Sequence, residues 1–187
     1  MFSLVIQIKW LYDPEDPELQ ERLAISVDGV HCKIWEPRTD PSTKWYSQKS
    51  NGAGLAYEVG VALWHNQIVW INGPFPAGNN DTSIFKSELK QKMADCGIKG
   101  LADRGYNGHY EQLSTKNEYD SQPVARFKQR ALGRHETVNS RLKHFKILSD
   151  EFRGKGPDRL EKHKTAFEAC AVIVQYEMEN GQGLFKI

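Results

Sequence analysis

Four carboxylates in this sequence sit where a metal-assisted reaction could use them: Asp28, Asp81, Asp103 and Glu136. Each aspartate also has an ordinary use. Asp28 precedes Gly29 at the end of an apolar alternation, and Asp-Gly is a strong hairpin pair. Asp103 follows a short apolar run and stands two residues before Gly105, which suits a turn. Asp81 occupies a place where a helix N-cap belongs, and Asp is among the best N-cap residues. Glu136 has no equally good structural use. It is the only acid between Arg126 and Lys146, a stretch that also holds Lys128, Arg130, Arg134, Arg141 and Lys143. A helix pair with Arg141 would contribute only a few tenths of a kcal/mol. A lone acid in a stretch that favours polyanions makes sense if it holds a divalent cation beside a phosphodiester. Hard ions such as Mg²⁺ and Mn²⁺ take oxygen ligands and let substrate phosphate complete the shell. Two of them can activate a water or a 3′-hydroxyl and steady the leaving oxygen.

Such ligands need rigid elements to carry them. Leu23, Ile25 and Val27 alternate with smaller or polar residues, predicting a strand over 23–28. Leu55–Trp64 and Ile68–Ile71 are β-rich runs around the short His65-Asn66-Gln67 segment, which reads as an antiparallel hairpin. The Gly73–Gly78 segment holds two prolines that remove backbone donors, so it is expected to be a loop. Ile84, Phe85, Leu89 and Met93 have helical spacing and predict a helix over 82–94. A buried strand is expected at Ile98–Ala102 and a weak one near Gln112–Thr115. A helix is expected from Val124 to about Ser149, with a break at 154–157. A last helix buries Phe167, Cys170, Ala171, Val174 and Met178 and stops at Asn180-Gly181. The order β-β-β-α-β-(β)-α-α predicts an α/β fold, a mixed five-stranded sheet flanked by helices.

Composition narrows the function further. A chain of 187 residues, 39% hydrophobic and 26% charged, is one domain's worth and can bury a core. Its apolar runs are too short for a membrane-spanning helix, and Met1–Ile8 has no basic flank or cleavage site of a secretion signal. Residues 1–22 read as an N-terminal extension with an acidic, Pro-spaced loop at 13–18. Three isolated cysteines without a C-x-x-C pair argue against a disulfide scaffold or a zinc ribbon. The net charge of +1 conceals a concentration, because residues 126–164 hold twelve Lys and Arg against five acids. That is the footprint of a polyanion partner.

Four segments carry a family resemblance, in order: VDGVHCKIWEP around Asp28, GPFPAGNNDTSIF around Asp81, LADRGY around Asp103 and RHETVNSRLKHFKIL around Glu136. From about residue 23 to 150 the chain resembles the DDE superfamily endonuclease domain of PIF/Harbinger-type transposases. The resemblance implies an RNase H-like fold with the first Asp on the first strand, the second just after the fourth strand and the Glu on a later helix. It thereby implies Asp28, Asp103 and Glu136 as catalytic residues and ligands of two Mg or Mn ions. Asp81 also matches a family motif, as an alternative second aspartate or a supporting group. The implied reaction is cleavage of DNA phosphodiester bonds with strand joining. The implied partner is DNA, as transposon ends or target, held by Arg126, Lys128, Arg130, Arg134, Arg141, Lys143 and Lys146. A nuclear location, a separate Myb-like DNA-binding partner and a homo-oligomer follow by the same resemblance, with no membrane role. Two departures stand out. Arg104 replaces the small residue of the family's Gly-Asp-Ser-Gly-Tyr-like segment, and no helix-turn-helix region is seen ahead of the core. The expectation is therefore a single catalytic domain over 1–187. The alternatives are a host-adopted or degenerate module that binds DNA or protein without catalysis, and a one-metal nuclease or phosphatase.

Overall fold

Strand β1 (Leu23–Lys33) is the central strand on which the site is built. It runs five residues past Asp28, so the Asp-Gly pair is strand interior rather than a turn. The reason is pairing on both sides. β1 lies antiparallel to β3 (Gly52–Ala62), with Gly29 opposite Glu58, and parallel to β5 (Lys99–Ala102). β5 in turn pairs parallel with β6 (Leu113–Ser114), and β3 pairs antiparallel with β4 (Ile68–Pro76) and with β2 (Tyr46–Ser47). In this computed structural model, which describes residues 23–38 and 40–187, the sheet is mixed and six-stranded. The expectations for residues 1–22 lie outside the described residues. The five longer-range strands follow the order β4-β3-β1-β5-β6, three antiparallel and then two parallel additions, as an RNase H-like sheet requires. The sixth, β2, is a two-residue addition beside the single helical turn α1 (Ser42–Trp45).

Helices cover both faces. On one, Phe85 of α2 (Asp81–Ser87) and Leu89 and Met93 of α3 (Leu89–Asp95) pack on Ile25, Val27, Trp70 and Tyr106. On the other, Val138 and Leu142 of α4 (Gln122–Lys143) and Phe167, Cys170, Ala171 and Val174 of α6 (Arg159–Glu179) pack on Val30, Cys32, Tyr57, Val59 and Val61. Tyr57 stacks on Phe167 with ring centroids 3.8 Å apart, and its hydroxyl hydrogen-bonds His163 Nδ1 at 2.7 Å. Fully burying an aromatic or a branched aliphatic contributes about 1.5–3 kcal/mol, so these two layers supply the main driving force.

Three local expectations are corrected. β4 continues through Pro74 and Pro76 instead of ending before them, because β4 pairs only with β3 and its outer side needs no donors. The expected 82–94 helix is two helices broken at Glu88 (φ −153°), where Ser87 Oγ turns back to donate to Ile84 O at 2.6 Å. The expected 124–149 helix stops at Lys143, and a separate turn α5 (Lys146–Ser149) follows after extended Phe145.

Glu58 on β3 is 1% exposed and its Oε2 accepts from Trp70 Nε1 at 2.9 Å. Burial pushes its carboxyl up to about 8, the Trp70 bond opposing and Asp81 and Glu88 adding to the rise. Between about pH 4.5 and 8 the folded chain therefore holds a proton that the unfolded chain has released. Stability from this group is full below that window, falls by up to about 1.4 kcal/mol per pH unit across it and is flat above it. Glu58→Gln should remove this loss, so its stability relative to the parent rises between pH 5 and 8 in denaturant titrations. A pH-independent difference would show that Glu58 is ionised in the fold.

Candidate functional site

Asp28 faces helix α4 from the middle of β1. Its Oδ2 accepts from Asn139 Nδ2 at 2.9 Å, and its Oδ1 accepts from Gly29 N at 2.7 Å. Two residues earlier, Ser26 Oγ shares a 2.8 Å hydrogen bond with His135 Nδ1. Burial lowers the pKa of His135, so the contact is held by a neutral ring. On the C-terminal side, Lys143 donates to His31 O and to Leu148 O. These polar contacts place the exposed Glu136, one residue after His135, at the wall of a cleft shared with Asp28.

Asp81 is not an N-cap. Asn80 caps α2, its side chain accepting from Ser83 N at 2.7 Å, and Asp81 is the first helical residue. Its carboxylate is thereby free to turn toward the sheet. Lys49 Nζ lies 3.6 Å from Asp28 Oδ1 and 3.8 Å from Asp81 Oδ2, and donates to Gly29 O at 3.2 Å. Lys49 is held there by the β2–β3 turn, where Ser47 Oγ accepts from Ser50 N at 3.1 Å and hydrogen-bonds His31 Nδ1 at 2.7 Å. Burial would lower the Lys49 pKa, but Asp28, Asp81 and Asp103 together raise it. Burial and the nearby Asp28 and Asp103 raise the Asp81 pKa, with Lys49 opposing.

Asp103 follows β5 and opens a single 3-10 turn (Arg104–Tyr106), its Oδ1 accepting from Gly105 N at 2.8 Å. Gly105 is needed here because a Cβ would lie 2.9 Å from Asp103 Oδ1 and 3.1 Å from Asp81 Oδ2. The two carboxylates thus face each other across the space a side chain would fill. Gly29 has the same role, since its Cβ would come 2.8 Å from Asp81 Oδ1. Thr82 Oγ1 ties the start of α2 to the 3-10 turn by donating to Gly105 O at 3.0 Å.

Asp28, Asp103 and Glu136 open on one cleft of about 560 Å³, together with Lys49, Asn139 and Lys143. Burial first, then the charges of Asp28 and Asp103, raises the Glu136 pKa, with Lys49 opposing. Asp28 and Asp103 thus act on both Asp81 and Glu136, and Lys49 opposes them in each case. Among the described residues no three His, Cys, Asp or Glu side chains stand close enough to enclose a metal ion. The donor chemistry nonetheless fits a hard divalent cation: all four candidates are carboxylates, and an ammonium stands between two of them.

The basic stretch divides in a way its sequence does not announce. Lys128 is buried and donates to Asp120 Oδ1 at 2.8 Å and to Thr115 O at 2.8 Å. Arg134 is buried and spends its guanidinium on His65 O, Asn66 Oδ1 and Phe185 O. Arg130 and Arg141 donate to Lys186 O and Gln182 O, fastening the C-terminal segment to α4. The expectation that all seven face DNA is corrected, because buried cations must pair with internal acceptors. Arg126 and Lys146 are exposed, and Lys143 lines the cleft.

Lys49 and Asn139 are the site residues that sequence reasoning missed. Lys49 lies in a Pro- and Ser-rich loop with no periodicity to mark it. Asn139 carried a signal, standing four residues from His135 and three from Glu136 on one helix face.

A family model described as DDE superfamily endonuclease matches residues 27–175, about four-fifths of the chain, and spans all four acids. No curated protein and no solved structure matches. With its sheet order, its cleft acids and this match in agreement, the chain belongs to the DDE superfamily endonuclease family.

Proposed function

We propose that this domain cleaves DNA phosphodiester bonds, with Asp28, Asp103 and Glu136 as the carboxylates that hold two Mg or Mn ions. The observation that carries the reading is that acids from β1, from the turn after β5 and from α4 open on one cleft. When bound, the ions supply Lewis acidity to the phosphate and to the attacking and leaving oxygens. The chain's own contribution is positioning. Asn139 and the Gly29 N–H fix the plane of the Asp28 carboxylate, and the Gly105 N–H fixes that of Asp103. Asp81 supports the pair from α2 through Lys49. Lys33, exposed in the cleft lining, is placed to meet a substrate phosphate beside the acids, whereas the Lys143 ammonium is engaged by the His31 and Leu148 carbonyls.

The finer reading is a PIF/Harbinger-type transposase catalytic domain that joins as well as cuts strands, resting on the four ordered motifs. With it go a nuclear location, a Myb-like DNA-binding partner, self-association and transposon ends or target DNA as substrate. A second reading is a module that keeps the fold and binds DNA or protein without catalysis. It is favoured by one observation, the Lys49 ammonium lying between Asp28 and Asp81.

Cleavage of supercoiled plasmid with Mn²⁺ divides the two. Asp28→Asn and Glu136→Gln should each lower the rate by at least about a hundredfold, the loss expected when several kcal/mol of charge stabilisation is removed. Their thermal unfolding should stay close to that of the parent. Parent protein that binds plasmid and never nicks it would support the non-catalytic module.

Lys49→Gln separates the counter-ion from the chemistry. Without Lys49, like charges on Asp28 and Asp81 repel, so the metal-free variant should melt lower than the parent. Mn²⁺ should then bind about tenfold more tightly by electron paramagnetic resonance titration, and restore the melting temperature. Lys33→Gln in the same cleft is the control and should change neither as much. Equal Mn²⁺ affinity in parent and Lys49→Gln would show that the ammonium does not occupy the cation's place.

A further inference from the structure

Past the acid cleft, the same two chain segments continue into a second groove. Lys33 and Ser149 line the cleft; Trp35 and Arg153 line the groove. Backbone hydrogen bonds join the walls where cleft gives way to groove, with Phe152 N donating to Lys33 O at 2.9 Å and Trp35 N to Phe152 O at 3.0 Å. The groove encloses about 400 Å³ and gathers Arg38, Arg153, Lys155 and Arg159 against one acid, Glu36. Trp35 is 50% exposed, which is unusual for a tryptophan beside a well-packed sheet. The Arg153 guanidinium lies 5.6 Å from its ring centroid and also meets Glu151 in a solvent-exposed pair at 3.3 Å. Arg38, Lys155 and Arg159 make no side-chain hydrogen bond or ion pair among the described residues. With Arg153 paired to Glu151, three cations converge beside the single carboxylate of Glu36, an excess of positive charge that an anion would answer. The indole adds a flat apolar surface on which an unpaired base can stack, a contact inorganic anions do not use.

We propose that this groove binds single-stranded DNA leaving the acid cleft, with Trp35 stacking on an unpaired base and Arg38, Lys155 and Arg159 on phosphates. Stacking on aromatic rings together with a cationic backbone track is how single strands are held without sequence preference. An unpaired base is required, because bases within a duplex are already stacked on each other. From Asp28 to Trp35 is seven residues of nearly extended chain, roughly 20 Å, a span of several nucleotides. The proposal rests on the reading of DNA as substrate and adds a place and a strand state to it.

The test uses the full chain without divalent metal and fluorescence anisotropy on two labelled duplexes, one blunt and one with a ten-nucleotide single-stranded overhang. The parent should bind the overhang duplex about tenfold more tightly. Trp35→Ala should erase that preference while Trp35→Phe retains most of it, and both should keep the parent's circular dichroism. The triple variant Arg38→Gln/Lys155→Gln/Arg159→Gln should lower the slope of log K against log salt by about 0.7 for each phosphate that is no longer neutralised. Unchanged overhang preference in Trp35→Ala, or equally tight binding of the parent to phosphatidylserine vesicles, would overturn the assignment. Plasmid cleavage is read separately. Cutting that survives while the overhang preference is absent leaves the catalytic reading standing and removes the groove. An overhang preference through Trp35 without cutting does the reverse.

Discussion

The site depends on how helix α4 is laid along strand β1. A strand advances about 6.6 Å for every two residues, and a helix about 6 Å for every four. The near match lets His135 and Asn139 on α4 meet Ser26 and Asp28 on β1 in step, and the longer Lys143 reaches one residue further along the strand, to the His31 carbonyl. Each such hydrogen bond contributes about 1 kcal/mol net, but an unmatched buried partner would cost about 1–3 kcal/mol, so the ladder fixes register more than it adds stability. Val138 and Leu142 fill the same interface from beside it. Glu136 follows His135 by one residue, about 100° around the helix, which carries it out of the buried seam and into the cleft. A slip of α4 by one residue would turn Glu136 away from Asp28.

Charge is handled in two separate ways. Inside, cations secure the frame: Lys128 holds the loop before α4, and Arg134 joins the β3–β4 connection to the C-terminal segment. At the cleft, one cation, Lys49, relieves the repulsion among acids that the fold has brought together. A further group of cations, Arg38, Arg153, Lys155 and Arg159, gathers where β1 ends and the 150s segment crosses it. This division explains how a chain with a net charge of only +1 can present a locally basic surface beside an acidic centre.

Much of this was legible from the sequence. The hairpin, the crossover helix and the β5 strand placed Asp28 and Asp103 near the centre of the sheet, since alternation and helical period report burial directly. The motif order added Glu136. Lys49 was not legible, because a two-residue strand in a polar loop has no pattern and its partners are 21 and 32 positions away. Arg134 and Lys128 were misjudged for a related reason. A basic side chain on a helix looks solvated until the distant carbonyls of His65, Phe185 and Thr115 are seen to receive it. The prolines of β4 were misread because sequence does not reveal which strand will be an edge, and Asn80 hid the freedom of Asp81 by taking the cap one residue earlier.

The central claim is that β1, the turn after β5 and α4 together make one cation-binding centre. The most direct measurement is anomalous X-ray diffraction from crystals of the protein equilibrated with Mn²⁺. The expected result is anomalous density bounded by the carboxylates of Asp28, Asp103 and Glu136, with the Lys49 ammonium moved away from Asp28. Mn²⁺ density elsewhere on the surface, with Lys49 still seated between Asp28 and Asp81, would contradict it.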